Sequence, residues 1–146
     1  MTNPFEGVPK PLPVATETSA PFWAGLREGE VRIQRCTDCG RWIFYPRSNC
    51  PGCLSNALEW ETVSGRGVVH TFTVAHQPTN PLFADETPQK LVIVELEEGV
   101  HMASTLVDVE PEAIEIGMAV EPVFEATDGG EGTLLRFRPA RSGDDR

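Results

Sequence analysis

Apolar and polar residues alternate with a period of two along most of this chain, and a helical stripe appears in one short segment only. Phe22, Trp23 and Leu26 fall on one side of a predicted helix. Ser19 is its expected N-cap, Pro21 suits the first turn, and Gly29 the stop. From Val31 the period becomes that of a strand. Val31–Arg35 alternates as a half-buried strand does, Arg41–Tyr45 follows as a second, and Leu58–Val63 begins a third. Gly65-Arg66-Gly67 then reads as a turn or bulge.

Beyond it the pattern predicts Val68–Ala75, rich in Val, Thr and Phe, then Lys90–Leu96, Val100–Val107, Met118–Ala126 and Thr133–Arg138. Glu97-Glu98-Gly99 is a hairpin turn, Pro111–Ile116 one helical turn, and Thr127–Gly132 a glycine-rich turn. Residues 76–89, with Pro78, Pro81 and Pro88, read as a long loop. Five strands after the ribbon, with a helical turn between the third and fourth, match an OB-fold; an SH3-like barrel is the runner-up, since a strand count does not settle topology. The expected organisation is mainly β: an extended arm over 1–17, a short helix plus, around Cys36, Cys39, Cys50 and Cys53, a zinc ribbon over 18–56, a five-stranded OB-fold barrel over 57–140, and a disordered tail over 141–146.

Composition changes this picture in two ways. The formal net charge of -10, with 12 Lys and Arg in all, leaves little to displace counterions from nucleic-acid phosphates. No apolar run approaches the ~20 residues of a membrane span, and no basic-then-apolar leader pattern opens the sequence. The expectation is a cytoplasmic protein whose four cysteines are metal ligands rather than disulfides.

Those cysteines form two C-x-x-C turns, Cys36/Cys39 and Cys50/Cys53, separated by residues 40–49. Each turn brings two sulfurs near one ion, and the intervening residues suffice for a hairpin. Four thiolates suit one tetrahedral Zn²⁺ and close its coordination sphere, so the metal is expected to be structural. Iron in a rubredoxin-like site is the alternative. A redox C-x-x-C would open a helix after a strand, and neither pair does.

No catalytic constellation stands out. His70 and His101 lie inside strands and read as satisfied or exposed rings; His76, beside the long loop, is the better candidate for a polar contact. No serine motif, phosphate loop or histidine pair at metal-ligand spacing is present. Trp23, Trp42 and Trp60 read as packing residues. Activity of the chain alone is therefore not expected. Arg47, Arg66 and Lys90 are the candidate cations near a ribbon–barrel cleft, where Arg or Lys can meet phosphate groups. Phe22 and Trp23 on the helix, and Leu82 and Phe83 between the loop prolines, are candidate partner contacts.

Several segments in order carry a resemblance: residues 21–29 (PFWAGLREG), 36–40 (CTDCG), 45–47 (YPR), 50–53 (CPGC), 64–67 (SGRG), 72–74 (FTV), 117–118 (GM) and 137–140 (FRPA). Over about residues 20–140 the chain resembles the zinc-ribbon/OB-fold proteins formerly catalogued as domain of unknown function thirty-five. The resemblance implies an accessory subunit of a thiolase or of a lipid-transfer-protein-type aldolase, enzymes that make or break carbon–carbon bonds in acyl-CoA substrates, steroid side chains among them. It implies that the partner supplies the nucleophile, while this chain supports the assembly and borders the CoA path, with Arg47, Arg66 and Lys90 as the candidate cations for CoA phosphates. The competing reading is an OB-fold that binds single-stranded nucleic acid on stacked aromatics, which needs a basic groove.

Overall fold

The computed structural model describes residues 13–78, 81–127 and 132–140. Most of the expected arm and all of the expected tail lie outside them, as does part of the 127–132 turn. Helix α1 spans Ala20–Arg27. Its start differs from expectation: Ser19 sits at the N-cap but makes no capping bond. Its hydroxyl instead accepts from the Thr16 backbone N–H at 2.9 Å, within a turn that precedes the helix. The helix stops as expected at Gly29, where Glu30 N–H donates to Gly25 O at 2.8 Å and Gly29 N–H to Leu26 O at 3.1 Å. That pair of bonds satisfies two of the last carbonyls.

A three-stranded sheet follows, in the order β2-β1-β3, with β1 Val31–Cys36, β2 Trp42–Ile43 and β3 Leu58–Val63. The second strand expected over Arg41–Tyr45 is thus only two residues long. Strict alternation also fails within β1. Ile33 and Gln34 are both buried, Gln34 to 5% exposure. Strand β3 pairs along its whole length with β1, from Val31↔Val63 to Cys36↔Leu58.

The larger sheet contains β4 Gly67–Ala75, β5 Gln89–Leu96, β6 His101–Thr105, β7 Ala119–Ala126 and β8 Thr133–Pro139. Their order is β6-β5-β4-β7-β8. A parallel bridge between Leu106 and Phe137 joins the two edges, and Val107 N–H donates to Phe137 O at 2.8 Å. Closure through that parallel contact gives the OB-fold barrel rather than the SH3-like one. At the entrance to β4, a Cβ on Gly67 would lie 2.2 Å from Glu95 O, so only glycine lets β4 and β5 approach there.

The main hydrophobic core draws on both sheets. Phe22 and Leu26 of α1 and Val31 and Ile33 of β1 join Val69, Val94, Met102, Leu106, Val120 and Phe137 of the barrel side. Residues 76–89 are not a plain loop. Pro81–Glu86 forms a 3-10 helix, and Glu86 reaches Arg136 of β8 at 3.7 Å. The expected helical turn is a 3-10 helix over Pro111–Ala113. Among the described residues, no helix is long and apolar enough to cross a membrane.

Candidate functional site

The two C-x-x-C turns are built on one plan. Cys36 N–H donates to Arg41 O and Gly40 N–H returns to Cys36 O; Cys50 N–H donates to Ser55 O and Leu54 N–H returns to Cys50 O. The fifth position of each turn takes a left-handed backbone, φ 79° at Gly40 and φ 65° at Leu54. Glycine adopts that conformation freely, whereas a leucine there is strained. Gln34 fixes the approach to the second turn. Its amide nitrogen donates to Arg47 O at 2.8 Å, and its amide oxygen accepts from Arg47 N–H at 2.7 Å. Ser55 adds a hydroxyl bond to the Asp38 carboxylate, which ties the turns to each other.

This plan brings all four sulfurs within 4.8 Å of one another. Cys36 Sγ lies 3.5 Å from Cys53 Sγ, and Cys39 Sγ lies 3.6 Å from Cys50 Sγ. Those edges are close to the ~3.8 Å edge of a thiolate tetrahedron with ~2.3 Å zinc bonds. Cys36 and Cys50 are buried and Cys39 and Cys53 exposed, so the cluster sits at the surface of the ribbon tip.

The electrostatics point the same way. The Cys39 backbone N–H favours the Cys36 thiolate and lowers that thiol below its ordinary range. The Cys53 N–H, with help from Gly52, lowers Cys50 to about 6 despite the opposing effect of burial. At Cys39 and Cys53 the N–H groups of Arg41 and Ser55 also favour thiolate. They are outweighed at Cys39 by hydrogen bonds with Cys50 and Cys36 together with burial, which raise that thiol, and at Cys53 by hydrogen bonds with Cys36, Cys39 and Cys50 together with burial, which push it up to about 12. Four thiols facing one another do not ionise together unless a cation lies between them. The donor set and spacing therefore fit one zinc ion, with all four positions filled by protein.

A second feature is an apolar cleft of about 290 Å³ between α1, residues 44–46 and strands β6 and β8. Phe22, Trp23, Phe44, Tyr45, Leu135 and Arg136 are among its walls. Phe22 is 7% exposed and faces inward, edge-on to Trp23 at 5.1 Å and tilted against Phe44 at 5.5 Å. Trp23 is half-buried and Tyr45 is 61% exposed, so these two present the accessible aromatic surface. Leu82 and Phe83, on the 3-10 helix, are half-buried.

The three expected cations are not brought together. Arg47 is exposed and adjoins the cleft through Pro46. Arg66 is exposed where the two sheets join, just before β4. Lys90 pairs with Val74 near the other end of β4, and its ammonium donates to Val109 O at 2.7 Å. At ~3.3 Å per residue, Arg66 and Val74 are about 26 Å apart along the strand. The cation that does line the cleft is Arg136, bonded to Thr105 Oγ1 at 3.1 Å. Its position in an alternating strand gave no hint of that role. Gln34 was also missed, because alternation placed it outward.

Two domain families account for most of the chain: the ChsH2 rubredoxin-like zinc ribbon domain matches residues 23–59 and the ChsH2 C-terminal OB-fold domain matches residues 60–125. A DUF35 domain-containing scaffold protein of Methanothermobacter thermautotrophicus is 39% identical over 111 residues, covering 72% of this chain and 83% of that protein. The chain belongs to the DUF35 family of zinc-ribbon/OB-fold proteins.

A Thermomonospora curvata protein described as "Probable enoyl-CoA hydratase alpha subunit" is 37% identical over 133 residues, 90% of this chain. This DUF35 chain spans only 40% of that longer relative. Among solved structures, a chain of the Ltp2-ChsH2(DUF35) aldolase superposes with a TM-score of 0.79 at 35% identity, covering 89% of this chain and 100% of that one.

Proposed function

We propose that this DUF35 chain is a non-catalytic accessory subunit of a thiolase-like, acyl-CoA-processing enzyme that breaks or forms a carbon–carbon bond. The observation that carries this reading is the near full-length match to a chain of the Ltp2-ChsH2(DUF35) aldolase. It favours a retro-aldol partner over a thiolase proper, with steroid side-chain shortening as the process that the family resemblance suggests. In this reading one structural zinc, held by Cys36, Cys39, Cys50 and Cys53, shapes the ribbon. Four cysteines committed to a metal rather than to disulfides accord with a cytoplasmic setting.

The partner, rather than this chain, supplies the reacting groups. Trp23 and Tyr45 beside the apolar cleft offer aromatic contact area of the type that anchors interfaces. Leu82 and Phe83 are the second candidate contact. Arg47, next to that cleft, is the best placed of the three expected cations to meet a CoA phosphate; Arg66 and Lys90 would have to act elsewhere on the path.

The test is co-expression with a thiolase-like protein encoded nearby, followed by acyl-CoA cleavage assays of each subunit and of the pair. The expected result is a stable complex with activity in the pair alone. Turnover by this subunit alone, or full activity of the partner without it, would overturn the reading. Within an active pair, Arg47→Ala should raise KM for acyl-CoA while leaving kcat nearly unchanged; an unchanged KM removes Arg47 from the CoA path.

A further inference from the structure

Three residues that are far apart in the sequence meet on the outer face of the barrel. His101 of β6 lies directly across from Glu95 of β5. Its Nε2 is 3.2 Å from Glu95 Oε1. His70 reaches the same place because β4 is irregular. Val69 pairs with Val94 and Thr71 with Ile93, so His70 is an extra residue with no partner of its own on β5. A bulge of this sort re-aims a side chain. Here it lays the His70 ring over that of His101, with centroids 4.3 Å apart and planes 29° apart.

One ligand atom from each of His70, Glu95 and His101 lies within 4.8 Å of the others. Among the described residues this is the second group of three or more potential ligands, the cysteine cluster being the other. We propose that His70, Glu95 and His101 form a surface site for a divalent transition-metal ion, separate from the ribbon zinc.

The chemistry of the donor set carries the assignment. Two imidazoles and one carboxylate suit Zn²⁺ and its neighbours, and disfavour Mg²⁺ and Ca²⁺, which prefer oxygen. Zinc bonds of ~2.0–2.1 Å to nitrogen and oxygen place tetrahedral neighbours ~3.4 Å apart. The His101–Glu95 pair is close to that spacing, and with every separation within 4.8 Å none has to close by more than ~1.4 Å. Rotation of half-exposed side chains supplies such a movement; both the His101 and Glu95 side chains are nearly half exposed. On binding, the carboxylate and the imidazole lone pair donate to one ion in place of the hydrogen bond between them. Three protein ligands leave a fourth position for water or for a group from an apposed surface, unlike the closed cysteine site.

The test uses the tag-free full chain with its ribbon zinc already in place, titrated calorimetrically with ZnCl₂. One additional equivalent per chain is expected. His70→Gln and His101→Gln should each weaken its uptake by at least tenfold, while elemental analysis shows ribbon zinc retained and circular dichroism shows the fold intact. Glu95→Gln, which keeps the side chain's shape, should weaken it too. The absence of a second equivalent overturns the proposal. So does a second equivalent equally tight in all three variants, which would be an adventitious ion only.

Discussion

Thirteen buried side chains, from Phe22 on the helix to Phe137 on the last strand, form the core of the barrel side, whereas three, Cys36, Ile43 and Cys50, form the core at the ribbon tip. The barrel side has enough apolar contact to hold itself by burial. The tip has two thiols and an isoleucine, with Leu58 packed against them, and a second strand of only two residues. The border between the regimes runs through β1. Val31 and Ile33 belong to the large core, and Cys36, three residues on, belongs to the small one. The ribbon is therefore two structures: a base fused to the barrel and a tip that depends on its metal.

The sharpest way to break this comparison is to remove the metal. Structural zinc sites provide about 10–16 kcal/mol of binding free energy that is also folding free energy. Cys50→Ala, or a strong chelator, should abolish the single expected equivalent of zinc and unfold residues 36–57, while β4–β8 keep their protection. Hydrogen exchange read by mass spectrometry distinguishes the regions. Global unfolding on chelation would erase the proposed border.

Acid is a milder version of the same challenge. The Cys36 and Cys50 thiols are lowered from 9.0, Cys50 to about 6. A depressed pKa gives a contribution that is complete above the ordinary thiol range and is lost as pH falls through the depressed value. Competition titrations between pH 8 and 5 should show zinc affinity falling throughout and most steeply below about 6.

The barrel has a corresponding weak point at its closure. Phe137 is fully buried and bridges to Leu106. Phe137→Ala should cost about 3–5 kcal/mol in denaturant unfolding, without lowering the zinc content of the protein that remains folded. Gln34→Ala should cost about 1–3 kcal/mol, because it strands the Arg47 N–H and C=O next to a buried site. Its effect should fall on the tip, seen as faster zinc release to a chelator with little change at β4–β8. The smallest effect is expected at Leu54, where φ is 65°. Leu54→Gly relieves the strained backbone and should slow zinc release, with a stability change within about 1 kcal/mol because glycine also frees the unfolded chain.

The metal cluster was legible because two C-x-x-C turns are local signals whose geometry needs few long-range contacts. The barrel strands were legible because one face of each is wet. On β5, Val92, Val94 and Leu96 are buried, while Leu91 before them and Glu95 among them are exposed. Where local and tertiary forces compete, the sequence was silent. Gln34 turns inward because the Arg47 backbone needs partners that the strand period does not reveal. Ser19 spends its hydroxyl on the Thr16 turn rather than on the helix. Residues 81–86 wind into a 3-10 helix instead of a plain loop, held to β8 through Glu86 and Arg136. The His70–Glu95–His101 group exists only because a bulge and two strand pairings superimpose positions up to 31 residues apart.

The contact of helix α1 with strand β8 has a consequence for how the chain is made. Synthesis delivers residues 20–27 well before residues 133–139, so Phe22 and Leu26 wait for their final neighbours until strand β8 has been made. The four sulfurs span only residues 36–53 and close a short loop at little entropic cost. A nascent chain emerging from the ribosome can thus capture its ion while the barrel is still unmade. The metal-bound tip would order before the barrel, and helix α1 would dock only once β8 is in place.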